Sequence, residues 1–189
     1  MRAERCVLRV HGRSATGEAS VLREGYAEIS PTGNDEAFCG HQWLYFPEQE
    51  YGDARRIIVA AIDSAGCERV VLNGFSNGAA FVAKLFCRGE TFAGRLVGVV
   101  IDDPVPDAAV LACKPAPRIR AALYWTGALD DVGIDCAEID FTCEGGRLIG
   151  VDAYADALGV TIQPSAFDEH QWYRDADELE AWLEVGRAS

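Results

Sequence analysis

The chain has 189 residues, 49% of them hydrophobic and 25% charged, enough for one domain (residues 1–189) with a real core and little more. Its net charge of −13 is spread along the chain, which argues against nucleic acid and mildly against anionic substrates and membrane surfaces. No apolar run approaches a membrane span, and the stretch from Met1 to Leu8 has no apolar core long enough for a signal peptide, so the expected location is the cytoplasm.

The elements follow in chain order. Cys6 to Val10 reads as a strand that ends at His11-Gly12. The polar, Gly-rich segment 14–41 shows no clear helix. Gln42 to Pro47 (QWLYFP) reads as a short second strand. Asp53 to Ala65 is amphipathic and helical, with Gly66 as its cap. Arg69 to Asn73 is a strand and runs straight into Gly74-Phe75-Ser76-Asn77-Gly78. Ala79 to Arg88 is an apolar helix stopped by Gly89. Leu96 to Ile101 is apolar without alternation, as a strand covered on both faces would be. Arg118 to Trp125 is the next strand and ends at Thr126-Gly127. Leu148 to Leu158 is a helix, Val160 to Gln163 the last strand, and Asp175 to Val185 the last helix. The alternation predicts an α/β fold: a mostly parallel, doubly wound sheet of about six strands in a single domain.

The seven cysteines are odd in number and contain no Cys-x-x-Cys pair, which suggests neither a disulfide framework nor a zinc ribbon. Cys6 and Cys87 read as buried small hydrophobes. Cys39-Gly40-His41 has a metal-like look, but two side chains do not make a site. Cys136 and Cys143 could meet across a loop, against which stands a reducing cytosol.

Chemistry concentrates at Gly74-Phe75-Ser76-Asn77-Gly78. With seven Ser and 19 Gly, a chance G-x-S-x-G is expected about 0.07 times, so coincidence is a poor account of it. A tight strand-to-helix turn pushes the Ser76 hydroxyl out at the C-terminal edge of the sheet. Gly74 and Gly78 let strand and helix approach closely around it. A Ser hydroxyl needs a base and an orienting acid. His170, between the last strand and the last helix, is the expected base; His11 and His41 precede Ser76 and fit the order Ser, acid, His badly. The expected acid is Asp130, five residues beyond Trp125. Asp131 beside it is an alternative, as are Asp102 and Asp103 one strand earlier, where Pro104 is expected to limit their swing. The Asn77 amide and an amide after the first strand, at Arg13, are the expected oxyanion donors.

HG after the first strand, GFSNGA at the elbow, TGALD after a later strand and DEH before the last helix resemble the α/β-hydrolase superfamily. Within it the chain is similar to the small dienelactone hydrolase-like and carboxylesterase/phospholipase-like members. The resemblance implies Ser76, Asp130 and His170 as a triad, with the Arg13 and Asn77 amides as oxyanion hole. Against the family's pattern, the chain starts at what would be its third strand and has no insertion long enough for a large lid. The implied function is a serine esterase cleaving an ester, thioester or lactone. The implied partner is a small acyl substrate, with no metal, cofactor, nucleic acid or membrane. Two other readings use the same fold: an acyltransferase or cyclase with the same triad, and a non-catalytic binding module.

Overall fold

A computed structural model describes residues 3–129, 136, 143–165, 167–172 and 176–184. Its strands are β1 (Arg5–Val10), β2 (Glu18–Leu22), β3 (Ala27–Ser30), β4 (Asp35–Ala37), β5 (Gly40–Gln42), β6 (Arg69–Phe75), β7 (Leu96–Asp102), β8 (Arg120–Trp125) and β9 (Ile162–Pro164). The helices are α1 (Glu48–Ala65), α2 (Asn77–Cys87), α3 (Val151–Leu158) and α4 (Ala176–Glu184). Seven strands form one sheet in the order β2-β3-β1-β6-β7-β8-β9, parallel throughout except for the edge strand β2. The mostly parallel α/β sheet expected from the alternation of elements is therefore present, with one strand more than the six read from the sequence.

Alternation along the strands divides the core between the two faces of the sheet. Leu8, Val10, Leu72, Val99, Ile101 and Leu123 pack with residues of α1, α2 and α3. Val7, Val71, Val100 and Tyr124 pack with Leu179 and Leu183 of α4. Every residue of α2 is buried. A helix so enclosed is almost wholly apolar, and its Asn77 and Lys84 side chains are both hydrogen-bonded.

The segment 14–41 holds β2 to β5, and β4 and β5 form a separate two-stranded ribbon. All five residues of β2 are exposed, so no buried face writes a period into that stretch of sequence. The strand expected over Gln42–Pro47 ends instead at Gln42. Side chains take the polar groups that a ladder would have used. Asn77 accepts from the Trp43 N–H and donates to its carbonyl, Asn34 does the same for Leu44, and Lys84 donates to the Tyr45 carbonyl. The first long helix starts at Glu48 rather than Asp53. Glu48 and Glu50 favour its positive N-terminal end, and Tyr51 is buried in the added turn.

The cysteines correct the sequence reading most sharply. Cys6 bridges Cys67, Cys87 bridges Cys113 and Cys136 bridges Cys143, while Cys39 is free and exposed. Partners 61 and 26 residues apart meet because the sheet brings β1 beside the start of β6, and the end of α2 beside the chain leading into β8. Spacing alone carries no such signal. Closing the longest loop through Cys6–Cys67 contributes about 4 kcal/mol by constraining the unfolded chain. The Cys6→Ala/Cys67→Ala variant is expected to lose most of that in denaturant unfolding of the oxidised protein. An unchanged midpoint would refute the bridge.

Candidate active site

β6 ends at Phe75 and α2 begins at Asn77, so a single residue, Ser76, makes the turn between them. It does so with φ 54° and ψ −120°, a conformation costly for any residue with a Cβ. The surroundings enforce it. A Cβ at Gly74 would lie 2.6 Å from the Gly78 carbonyl oxygen, and one at Gly78 would lie 2.2 Å from that of Val10. Neither glycine tolerates a side chain, as the elbow reading requires. The Ser76 N–H donates to the Asp102 carbonyl at 3.1 Å, which ties the turn to the neighbouring strand. Its own carbonyl accepts from Ala79 and Ala80, leaving the hydroxyl at the N-terminal end of α2.

The loop after β1 touches this turn. A Cβ at Gly12 would lie 3.1 Å from the Ser76 Cβ. Arg13, the residue chosen for its backbone amide, follows directly. Asn77, the other expected donor, opens α2, where the first amides have no intrahelical acceptor. Its side chain is engaged with Trp43, so the amide is the part of Asn77 left for chemistry at the elbow.

His11 pins the loop. Its Nδ1–H donates to the Gly12 carbonyl at 2.7 Å, and its Nε2 accepts the Gly33 N–H at 3.0 Å. The second bond requires the neutral ring, since a protonated Nε2 has no lone pair to accept with. Burial pushes the His11 pKa down, partly offset by the Gly12 carbonyl, and neighbouring His41 lowers it further. The unfolded chain therefore takes up this proton first as pH falls. Stability from neutral His11 is full above about pH 6.5 and is lost below it, through the lower folded pKa. The thermal midpoint of the wild type is expected to fall more steeply below pH 6.5 than that of His11→Gln. Parallel curves would contradict this.

His170 lies on the loop between β9 and α4. Its ring packs on Phe75, the residue before Ser76, with centroids 4.6 Å apart. Its Nδ1 is 2.5 Å from Asp103 Oδ2. A neutral imidazole that donates from Nδ1 keeps Nε2 free of a proton, as a general base must. Asp103 is buried, and Thr126 clamps it twice: the Thr126 N–H donates at 3.0 Å and its hydroxyl at 2.8 Å.

The carboxylate on His170 is thus Asp103, one of the alternatives to Asp130 in the sequence reading. Asp130 and Asp131 lie outside the described residues. The reason is backbone geometry. Asp103 has φ 48°, and its N–H donates to the Tyr124 carbonyl of β8, so the chain turns across the sheet edge before Pro104. Asp102 stays in the strand, points to the α4 face and accepts from Asn73. The hydroxyl and amide of Thr126, directly after β8, serve Asp103.

Two cavities border the loop after β1. One of about 550 Å³ is bordered by Arg13, Asp35, Glu36, Phe38, Gln42 and Leu44. The other, about 270 Å³, is bordered by Arg9, His11, Glu28, Ser30 and Trp172 among others. Among the described residues no three His, Cys, Asp or Glu side chains gather as metal ligands, and no helix is long and apolar enough to cross a membrane.

No protein-family model matches the chain, and no curated protein matches it either. Solved structures do. A carboxylesterase from Bacillus cereus aligns with TM-score 0.56 and 16% identity, over 97% of this chain and 90% of that one. A protein of unknown function from Agrobacterium tumefaciens gives TM-score 0.52 and 14% identity, over 96% and 89%. The esterase Pf2001 of Pyrococcus furiosus gives 0.53 and 12%, over 96% and 78%. The fold is that of the α/β-hydrolases. An α/β-hydrolase sheet presents its nucleophile on a sharp strand-to-helix turn at the C-terminal strand edge. Ser76 occupies that turn here, and Asp103 leaves the neighbouring strand β7 at the same edge.

Proposed function

We propose that this chain is a serine hydrolase that cleaves a carboxylic ester, thioester or lactone through an acyl-enzyme. The observation that carries the reading is the hydrogen bond from His170 to buried Asp103, with the same imidazole packed beside the strained Ser76 turn. Two of the fold neighbours, a carboxylesterase and an esterase, point the same way.

Ser76 is the nucleophile. His170 Nε2 takes its proton as the hydroxyl attacks the acyl carbonyl, and the imidazolium then protonates the leaving group. Asp103 holds the imidazole in the useful tautomer and offsets its charge. Thr126 keeps the carboxylate in place while that charge comes and goes. The Asn77 and Arg13 amides are the donors assigned to the oxyanion. Water, activated by the same histidine, releases the acyl group.

We also assign the protein to an oxidising compartment. Three disulfides form and persist there and are rare in a reducing cytosol, so they weigh against the cytoplasmic location expected from the N-terminal residues. Turnover of short-chain p-nitrophenyl esters by the oxidised, purified protein tests the activity. Absence of turnover across acetyl, butyryl and thioester substrates would count against it.

A further inference from the structure

A polar ladder crosses three adjacent strands on the α4 face, immediately below the elbow. Arg9 of β1 and Asn73 of β6 are register partners, and the Arg9 guanidinium donates to Asn73 Oδ1 at 2.6 Å. Asn73 Nδ2 in turn donates to Asp102 Oδ2 of β7 at 2.6 Å. Asn73 and Asp102 have no exposed surface. Burying an amide and a carboxylate is costly unless they are hydrogen-bonded, and here they bond to each other and to Arg9.

What they hold is Arg9, and Arg9 carries an aromatic stack. Its guanidinium lies 4.3 Å from the centre of the Trp172 ring. Trp172 stacks on Phe75 with centroids 5.3 Å apart, and the same Phe75 ring packs on His170. Residues 167–172 belong to no strand or helix, and Phe167, Asp168 and Glu169 are exposed. An imidazole held only through Nδ1 can still turn about that one hydrogen bond. Ring packing against Phe75, with Trp172 two residues further on and fixed under Arg9, removes that freedom.

We propose that Arg9, Trp172 and Phe75 are positioning residues that hold the His170 ring in line with Ser76, with Asn73 and Asp102 setting the Arg9 guanidinium. The inference rests on the triad reading above and adds a set of residues that the reaction itself does not consume. Arginine suits the position because its planar group stacks on an indole while donating sideways to Asn73. Lysine offers the charge without the plane.

The test is steady-state kinetics on a short p-nitrophenyl ester, with the rate of inactivation by a fluorophosphonate measured in parallel. Trp172→Ala and Arg9→Met are expected to lower kcat about 10- to 100-fold, as small misplacements of a reacting group do. KM should stay within threefold and the inactivation rate should fall in step with kcat. Trp172→Phe keeps a ring between Arg9 and Phe75 and should recover most of kcat; Arg9→Lys should recover only part. Trp172 lies on a loop, and thermal midpoints check that the variants keep the fold. A loss confined to KM would make Trp172 a substrate contact and overturn the proposal. An active wild type whose variants keep full kcat would overturn it alone. A wild type inert to both ester and phosphonate would overturn the triad reading and the platform with it.

Discussion

Ser76→Ala is expected to lower ester turnover by about 10⁴-fold or more while leaving the thermal midpoint close to that of the wild type. The size follows from how a triad works: its members act as a unit, and without the nucleophile only binding and oxyanion stabilisation remain. Preserved folding follows from the geometry. Alanine keeps the Cβ that packs near Gly12, and the backbone bonds that fix the turn do not involve the hydroxyl. Removing a functional group from a strained turn leaves the strain in place, so stability should change little in either direction. Turnover by the variant within tenfold of the wild type would remove Ser76 from the mechanism.

Asp103→Asn is the second large effect, about 10³- to 10⁴-fold in kcat. Asparagine fits the same space but carries no charge against the imidazolium. The Thr126 N–H donates to Oδ1, the oxygen away from His170, so the Asn oxygen is drawn there and its NH₂ takes the Oδ2 position that faces His170 Nδ1. That arrangement favours the tautomer with the proton on Nε2, which cannot act as base. Asp130→Asn is expected to cost far less. A larger loss at Asp130 than at Asp103 would return the acid to the position read first from the sequence.

The elbow was legible because its chemistry is local. Two glycines, a serine, an apolar strand before and an apolar helix after all lie within twenty residues, and each is demanded by the same turn. His170 is a candidate by chain order and by its place before the last helix. The carboxylate it meets was not legible. Asp102 and Asp103 are neighbours, and alternation sends one to the α4 face and the other across the sheet edge; which does which depends on a positive φ at Asp103 that no side chain announces. The ladder of Arg9, Asn73 and Asp102 depends on strand register, which exists only once β1, β6 and β7 are paired. The Cys6–Cys67 and Cys87–Cys113 bridges failed to show for the same reason, since their partners lie far apart until the fold brings them together. In segment 14–41 the strands are short and β2 is exposed throughout, so the pattern that identifies a strand was absent.

The central claim is that Ser76 is an activated nucleophile, and covalent labelling tests it without knowledge of the natural substrate. The oxidised protein is treated with a fluorophosphonate, digested, and the modified peptide mapped by mass spectrometry. The account predicts stoichiometric addition on Ser76, in the peptide that continues through Asn77-Gly78, with loss of esterase activity in step with labelling and none in Ser76→Ala. Stoichiometric labelling at another residue, or an unlabelled protein that still hydrolyses esters, would contradict it.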